Sequence, residues 1–535
     1  SDNEGLVDKL EDKNCNGVVD PCETDRLKVD TDGDGVNDLI ESEDCAVKTP
    51  AQQAALNCQC WGSDASNNPL TAGDFVFIVD YMKPPTPSVE TLNLSTNVSN
   101  ADVIFSLDST GSMQGSLTTL ASTIASTIVP QTKAKVQNIA FGVLEFRDTG
   151  DTWTAGNGLP AAGFLRYDHR IQTVSTAAGV TAIQTTLGKL VASGGGDSPE
   201  GGWEALYSIA GGPAITVGAA GYVSTLPLAS TPPQPPTAGE TQGTLYGAGF
   251  RAGTVPIIVT VTDAEWHDAP NVAASGENGL NDYSTSYGGM PSRATALSYV
   301  NAMNAHVIAL AGIGGGQTGD PKTRGLATAT ATGAVVSPAD FGPAGTRPAG
   351  CAVTQCCTGQ NGAGETTNGA GLCPLSFTFD DATGNGVNDA VVSGIVALAN
   401  GLKFDIHVEA VDVDPMTVDN FMLELVPNLS GMGPATVCIT TPPAPLQDNF
   451  TGPKATPGSD TVLDTFPGIS GGKQICFDVV PKMNTTVMET NSPQFFRAQL
   501  QVKGVPNGTG ATVNLGTPRD VFFLVPPNIV NGPIN

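Results

Sequence analysis

The sequence predicts a multi-domain protein in which an α/β unit with a parallel sheet is inserted in, or flanked by, a β-sandwich and follows a run of cation-binding repeats. Three observations predict this arrangement. Strand-like and helix-like segments alternate from 101 to 400, the chain after Leu402 carries only strands and turns, and the first 45 residues contain an acidic repeat. The expected boundaries are 1–45 (repeats), 46–70 (cysteine-containing linker), 71–100 (first sandwich strands), 101–400 (α/β unit) and 401–535 (sandwich).

The first 45 residues repeat one spacing of acidic and amide side chains around a glycine. Oxygen ligands at positions 1, 3, 5 and 12 of a loop, with a glycine at position 6, are the pattern that Ca²⁺ requires. A third, partial copy starts at Asp2, and further copies upstream are expected. The repeats resemble the calcium-binding repeats of thrombospondin type 3, which implies a spacer stiffened by Ca²⁺. The two complete copies consist of Asp12, Asn14, Asn16, Asp20 and Glu23, and of Asp30, Asp32, Asp34, Asp38 and Glu41.

Eleven cysteines fall into three groups, in the first 60 residues, between 351 and 373, and near the end. Together with few lysines, they indicate an oxidising compartment and a secreted or surface-exposed protein. The spacings C-x-C at 58–60 and C-C at 356–357 fit a zinc site poorly, so disulfides are favoured. Cys438 and Cys476 lie in strand-like runs and are expected to join within one β-domain. One N-terminal cysteine lacks a local partner, and the other pairings stay open.

The charge balance restricts the classes of partner. Acidic residues outnumber basic ones 52 to 24, and the net charge is -28. Because affinity for a phosphate backbone comes from Lys and Arg, nucleic acid is excluded as a partner. No apolar run reaches the roughly 18 residues that a membrane span needs. The chain starts at Ser1 without an initiator Met or an apolar leader, and a processed N-terminus is expected.

The central segment alternates strands and helices. Strands are predicted at VIFSLD, IAFGVLEF, PIIVTVTD and HVIALAG, and helices over 113–129, 179–192, from Glu200, over 291–304 and over AVVSGIVALANGL. This alternation predicts a parallel sheet covered by helices on both faces. The Gly/Pro-rich segments 211–250 and 337–373 are expected to be surface loops. The strands of 402–535, among them TVCIT and QICFDVV, predict one sandwich or two.

Oxygen-bearing side chains gather where the predicted strands end. Ligands of open α/β sheets bind outside the carboxyl ends of the strands. Donors that are all oxygen, without His or Cys, suit Mg²⁺ or another hard cation. The candidates are Asp108, Thr110 and Ser112 in DSTGSM, Asp197, Ser198 and Glu200 in GGGDSPEGG, and Asp263 in VTVTD.

The alternate spacing in DSTGSM allows one turn to direct three oxygens at a shared ion, with Gly111 giving the turn its freedom. A second interpretation of the same motif is an ordinary helix N-cap at Ser109 or Thr110. That interpretation explains the first motif alone, because it does not account for the two later segments.

The three motifs resemble those of von Willebrand factor A domains, and in particular of the I-like domain of integrin β subunits. DSTGSM looks like the metal-ion-dependent adhesion motif DxSxS or DxTxS, GGGDSPEGGWEAL is similar to that family's D-x-P-E-G-G run, and VTDAEWHD is similar to its T-D-A-x-aromatic-His stretch. The resemblance implies a Rossmann-like von Willebrand factor A domain over 101–400, with Mg²⁺ or Mn²⁺ at the adhesion site. The residues implied as holding this metal, with the two aspartates acting through water, are Asp108, Thr110, Ser112, Glu200 and Asp263.

The sequence departs from the integrin pattern in two places. Gly115 and Ser116 stand where integrin β subunits carry two aspartates of an adjacent metal site, so no such site is predicted. Gly195 replaces an asparagine of a third site, for which Asp197 and Glu200 remain as candidate Ca²⁺ ligands. In integrin β subunits the I-like domain is inserted in a hybrid β-sandwich, and the strands of 71–100 and 402–535 predict the same inserted topology.

A partial copy of the N-terminal spacing occurs at 381–389, where Val392 replaces the final acid. It predicts a loop turn rather than a metal site. The helix that follows is expected to be the last of the α/β unit.

Two enzymatic interpretations compete with adhesion. A G-x-G-x-x-G run at 314–319 matches a dinucleotide fingerprint, but it follows the last strand of the unit rather than the first. Asp263, Glu265 and His267 would suit a metal hydrolase, although no G-x-S-x-G or H-E-x-x-H motif accompanies them. We therefore expect no enzymatic activity.

The expected function is that of an extracellular, cell-surface adhesion protein that binds a Glu or Asp carboxylate of a protein ligand through a divalent cation. The alternative is a structural subunit of a surface filament or extracellular matrix. In that case like chains join through the same metal site or through the unpaired cysteine.

Overall fold

The computed structural model describes a multi-domain, mixed α/β protein with several sheets. No helix in the described part of the chain combines the length and the apolar character that crossing a membrane requires. The described residues are 12, 15–19, 25–28, 75–148, 151, 164–195, 199–213, 215–217, 222–224, 236–268, 289–314, 320–429, 438–439, 443–447, 463–490, 494–506 and 512–526.

The predicted alternation of strands and helices is confirmed. Two strands precede it, β1 (Phe75–Ile78) and β2 (Glu90–Ser95). The alternating elements are β3 (Asn100–Asp108), α1 (Gln114–Thr123), α2 (Val129–Lys133), β4 (Asn138–Phe146), β5 (Leu165–Thr173), α3 (Ala177–Leu187), α4 (Gly202–Ile209), β6 (Ile215–Val217), β7 (Tyr222–Ser224), β8 (Val255–Thr262), α5 (Arg293–Ala302), β9 (His306–Ile313), α6 (Pro321–Ala331), β10 (Val335–Val336), β11 (Cys373–Pro374), β12 (Ser376–Asp380) and α7 (Val387–Gly401).

The elements after α7 are almost all strands. They are β13 (Lys403–Asp412), α8 (Thr417–Phe421), β14 (Met422–Pro427), β15 (Leu446–Gln447), β16 (Leu463–Ser470), β17 (Gln474–Pro481), β18 (Gln494–Pro506) and β19 (Val513–Val525).

A six-stranded sheet forms the centre of the α/β unit, in the order β12-β9-β8-β3-β4-β5. All neighbours are parallel except β4 and β5, which pair antiparallel at one edge. Alternate residues of β3 enter different clusters of the core. Val103, Phe105 and Leu107 pack with α1, α3 and α7, whereas Ile104 packs with α4 and α5. Both faces of the sheet are therefore covered by described helices, and the ends of its strands are where a ligand site is expected.

The predicted helices differ from the observed ones in their bounds. The last helix, predicted over 390–402, is Val387–Gly401, and the helix predicted over 291–304 is Arg293–Ala302. The helix predicted over 113–129 is α1, a π-helical turn at Ile124–Ile128 and then α2. The helix predicted over 179–192 begins earlier, because the hydroxyl of Thr176 caps α3 by accepting a hydrogen bond from the Gly179 amide. It also ends earlier, with Gly188 as its C-cap.

The strands on either side of the α/β unit pair with one another. The sheet β1-β19-β18-β13-β16-β15 packs on the sheet β14-β17-β2, and the rings of Phe466 and Phe477 meet between them at 5.3 Å. Because β1 pairs with β19 and β2 pairs with β17, segments before and after the α/β unit build the same two sheets. The described strands of 402–526 thus form one sandwich.

Three disulfides occur among the described residues. Cys438–Cys476 was expected, although Cys438 itself lies outside any strand, so the predicted strand TVCIT is wrong at this residue. Cys351–Cys357 and Cys356–Cys373 cross-link the segment 337–373, whose base is closed by pairing of β10 with β11. This segment was expected to be a surface loop, and most of its residues are exposed or half-buried, while its four cysteines are buried. It encloses, with α7, a cavity of about 450 Å³.

Only part of the first N-terminal repeat is described. The Asp12 carboxylate accepts hydrogen bonds from the amides of Asn16 (2.9 Å) and Gly17 (2.7 Å), and Gly17 has φ +76°. The glycine thus makes the sharp turn that the spacing predicted. Asn14, Asp20, Glu23, Asp30, Asp32, Asp34, Asp38 and Glu41 lie outside the described residues, as does the linker 46–70, and Ca²⁺ binding there stays a prediction.

Glu240, in the Gly/Pro-rich segment 211–250, is buried against the start of α3. Its carboxylate accepts hydrogen bonds from Thr173 Oγ1 (2.5 Å), Thr176 Oγ1 (2.7 Å) and the amides of Ser175 (2.9 Å) and Thr176 (2.7 Å). Burial alone would raise the pKa of Glu240, but these hydrogen bonds lower it to about 2. Glu240 therefore anchors the edge strand β5 to the start of α3.

Glu240→Gln is expected to lower the free energy of unfolding by about 2 kcal/mol at pH 7, because hydrogen bonds to a charged acceptor are replaced by bonds to a neutral one. Since the folded pKa lies below the unfolded value of 4.5, this difference should shrink as the pH falls from 4.5 towards 2. Urea unfolding followed by fluorescence of Trp203 and Trp266 measures it. The control is Glu424→Gln, at a β14 carboxylate with no hydrogen bond in the described chain. Equal losses of unfolding free energy in both variants would contradict a stabilising role for the Glu240 hydrogen bonds.

Candidate metal centre

Asp108 is the last residue of β3 and is fully buried. The register pairs Leu107 with Val261, so Asp108 lies opposite Thr262 at the end of β8. Its Oδ1 accepts hydrogen bonds from the amide (2.9 Å) and hydroxyl (2.6 Å) of Thr110, and its Oδ2 accepts one from Thr262 Oγ1 (2.7 Å). Burial raises the pKa of Asp108, and these hydrogen bonds act against that rise. The carboxylate is thus held in one orientation at the carboxyl end of the sheet.

The hydroxyls of DSTGSM do not cap a helix. A 3₁₀ turn at Gly111–Met113 follows Thr110, and neither this turn nor α1 has a side-chain cap. Thr110 Oγ1 instead donates to Asp108, and Ser109 Oγ accepts a hydrogen bond from Arg147 Nε at 3.1 Å. The N-cap interpretation of the motif is therefore wrong, and the hydroxyls of Thr110 and Ser112 bond to the carboxylates of Asp108 and Asp263.

Asp263 follows β8 directly and lies beside Asp108. Burial, and then the nearby Asp108 carboxylate, raise the pKa of Asp263 to about 7, while a hydrogen bond from Ser112 acts in the opposite direction. Its Oδ2 is buried and accepts no hydrogen bond within the described chain. Ser112 itself is exposed, so the cluster opens to solvent on that side. A bound cation would relieve both the repulsion and the unused acceptor.

Asp381 is a third buried acid at this edge, and the sequence interpretation missed its role. The turn predicted there is present, but the Asp381 side chain points back to the sheet end. A Cβ added at Gly312 of β9 would lie 2.6 Å from the Cβ of Asp263 and 3.0 Å from that of Asp381, so the two acids flank this glycine. The signal in the sequence was position, because Asp381 directly follows β12 just as Asp263 follows β8.

Arg324, on α6, is a buried cation near these acids. Its Nη1 donates to the carbonyl of Ala264 at 2.6 Å, and its guanidinium lies over the ring of Trp266, 4.3 Å from the centroid. Its charge acts to lower the pKa of Asp108. Arg147 is a second guanidinium whose charge acts on Asp108. With Asp108, Asp263, Asp381 and Glu200 near these two cations, the edge keeps an excess of acidic groups that suits a cation.

Glu200 reaches the cluster from another loop. Its backbone forms a bridge with Trp266, through hydrogen bonds from Glu200 N to Glu265 O (2.8 Å) and from His267 N to Glu200 O (3.1 Å). A Cβ added at Gly195 would lie 2.9 Å from Thr110 Cβ and 3.1 Å from Glu200 Oε1. Both side chains therefore pack on Gly195, whose φ of +79° is itself unfavourable for other residues.

The predicted ligands of the adhesion site thus lie close together. Asp108, Thr110, Ser112, Glu200 and Asp263 meet at the carboxyl edge of the sheet, whereas Asp197 lies outside the described residues. No group of three or more His, Cys, Asp or Glu side chains in the described chain is arranged to hold a metal ion by itself. A cation here would therefore need hydroxyl ligands besides carboxylates, and the exposed hydroxyl of Ser112 and the unused Asp263 Oδ2 fit that requirement.

The side chains of the enzymatic alternative face different partners. Glu265 Oε1 accepts a hydrogen bond from the amide of Asp320 at 3.2 Å, and His267 Nε2 lies 3.4 Å from Asp148 Oδ1. Glycines 316 and 319 of the dinucleotide-like run lie outside the described residues. Absence of enzymatic activity stays a prediction.

In the presence of a chelator at pH 8, Asp263→Asn is expected to raise the free energy of unfolding by roughly 2 kcal/mol. The folded pKa of about 7 lies above the unfolded value of 3.8, so the carboxyl group favours the folded state at low pH and this advantage is lost as the pH rises through 7. At pH 4 the variant and the parent should be alike. Urea unfolding at the two pH values measures this difference. A variant less stable than the parent at pH 8 would contradict the repulsion between the Asp263 and Asp108 carboxylates.

No protein-family model and no curated protein matches the sequence. Solved structures of the pilus adhesin SpaC from Lactobacillus rhamnosus GG are similar to the chain at low TM-scores. The open conformation gives a TM-score of 0.33 and 11% identity, covering 81% of this chain and 45% of the adhesin. A second structure gives 0.30 and 12%, covering 83% and 47%. The chain therefore spans less than half the length of the adhesin.

Proposed function

We propose that the carboxyl edge of the parallel sheet binds a divalent cation, Mg²⁺ or Mn²⁺, whose coordination is completed by a carboxylate of another protein. The observation that carries the proposal is the juxtaposition of Asp108, Ser112 and Asp263, with the Asp263 pKa raised to about 7 by burial and by Asp108. Thr110, Ser112 and Glu200 are the direct ligands in this proposal, and Asp108 and Asp263 orient bound water.

A von Willebrand factor A-type domain is the fold that we propose for the unit. The parallel sheet with one antiparallel edge strand supports it, as does the order in which three separate segments supply the site. An extracellular setting is supported by the disulfides. The protein is then a surface adhesion protein, and no enzymatic turnover is expected.

Asp108→Ala is expected to weaken Mn²⁺ binding at this edge by roughly 10- to 100-fold, because the residue that orients the ligands and balances the cation is removed. Mn²⁺ titration followed by electron paramagnetic resonance, with Ca²⁺ present to fill the N-terminal repeats, counts the ions bound to the full chain. Asp389→Ala, at an exposed acid of α7, is the matched control. Identical Mn²⁺ binding by parent and Asp108→Ala would refute the proposed centre.

The same variant separates the two kinds of partner. A monomer that binds a foreign protein only with Mg²⁺ is an adhesin, whereas self-assembly that Asp108→Ala blocks identifies a filament subunit. Sedimentation velocity with and without Mg²⁺ distinguishes these outcomes.

Gly195→Ala is expected to weaken Mn²⁺ binding by roughly tenfold, because the new methyl group displaces Thr110 or Glu200. Gly345→Ala is the matched control, since Gly345 also has a positive φ (+91°) but has no atom within 4 Å of an added Cβ. Both variants share the backbone strain, and only Gly195→Ala adds the contact. Equal effects of both on Mn²⁺ affinity would show that the packing at Gly195 does not set the site.

A further inference from the structure

A cleft of about 290 Å³ lies between the α/β unit and the sandwich. The starts of β3 and β4 form one wall, with Asn100 and Asn138, and β18 and β19 form the other, with Gln501 and Asn514. This is the amino edge of the parallel sheet, at the opposite end of β3 from Asp108. The cleft is therefore separate from the candidate metal centre, and its test does not depend on that proposal.

The lining of the cleft is uncharged in a protein whose net charge is -28. Its polar side chains are carboxamides and hydroxyls, and each carboxamide both donates and accepts hydrogen bonds. Such a surface gives an ion little electrostatic stabilisation, whereas a neutral ligand that carries both donors and acceptors can form several hydrogen bonds with it.

Two cations fix the orientation of the amides. Arg251 Nη1 donates to Asn138 Oδ1 at 2.7 Å and Lys503 Nζ donates to Asn514 Oδ1 at 2.8 Å. Since Arg and Lys can only donate, these contacts identify the oxygen of each amide. Asn138 Nδ2 then donates to Asn100 Oδ1 at 2.8 Å. Both walls thus carry amides whose orientation is fixed in advance, which lowers the entropic cost of binding a ligand.

Hydrogen-bonding capacity remains in both walls of the cleft. The side chains of Gln137, Gln501 and Thr517 line the cleft and make no hydrogen bond within the described chain. Pro518 lines the same cleft and is exposed, and its ring supplies an apolar patch beside the polar groups.

We propose that this cleft binds a neutral sugar ring. A sugar presents hydroxyls that donate and accept around its rim and C–H groups on its faces, which matches free amides and a hydroxyl beside an apolar patch. The volume lies just below the roughly 300–1,000 Å³ of drug-sized ligand pockets, which favours a single ring over an extended peptide.

The test uses the full chain and saturation-transfer NMR with the methyl glycosides of glucose, galactose, mannose and N-acetylglucosamine. At least one should bind with a Kd in the millimolar range, unchanged by chelator, which separates this cleft from the metal centre. A neutral oligosaccharide that ends in the same sugar distinguishes two natural sources. If the source is a glycan chain, the oligosaccharide should bind at least as tightly as the methyl glycoside, and if it is a free sugar, the methyl glycoside should bind more tightly. A capped neutral tripeptide probes the other class of occupant.

Gln501→Leu should weaken sugar binding roughly three- to tenfold, because the hydrogen bond from the Gln501 amide to the sugar is lost. Gln499→Leu, two residues along the same strand and outside the cleft, should leave it unchanged. Thr517→Val repeats the test at an exposed position if Gln501→Leu does not fold. The proposal is overturned if no glycoside binds, if neither lining variant weakens binding, or if only the tripeptide binds.

Discussion

The parallel register of the central sheet forces carboxyl groups together at one edge. Because β3, β8 and β12 end close together, Asp108, Asp263 and Asp381 meet there, out of water and with Arg324 and Arg147 as nearby cations. Repulsion of this kind costs stability, and the surrounding hydroxyls reduce that cost only in part. The turn after β3 places Thr110 against Asp108, and α6 places Arg324 near the same carboxylate.

The two edges of the same sheet carry different chemistry. The carboxyl edge gathers acids and hydroxyls and suits a hard cation, whereas the amino edge meets the sandwich through neutral amides. At that second edge the buried pair of Asp102 and Arg251, with Nε and Oδ1 2.8 Å apart, holds the guanidinium that orients Asn138. One sheet thus separates charged recognition from neutral hydrogen bonding by the full length of its strands.

Periodicity and motif spacing were sufficient to predict the alternation of strands and helices, the flanking β-strands and the Cys438–Cys476 bridge. The order of the strands was also sufficient to bring Asp108, Thr110, Ser112 and Asp263 into one region, because residues that follow parallel strands share an edge. Glu200 precedes a helix, and its inclusion in the ligand set depended on the resemblance to the adhesion-site motifs. Asp381 was missed because its neighbours in the sequence resemble a loop repeat and only the order of strands in the sheet places β12 beside β9. The burial of Glu240 was missed for a similar reason, since its partners on β5 and α3 lie more than 60 residues earlier.

The pairing of β1 with β19 has a mechanical consequence. The two strands run parallel, so the incoming end of β1 and the outgoing end of β19 lie at opposite extremities of the pair. A pull on both would load their backbone hydrogen bonds together in shear instead of opening them one by one. The α/β unit is joined to the sandwich by residues 95–100 and 401–403. It would stay outside the line of tension as long as the hydrogen bonds between β1 and β19 hold.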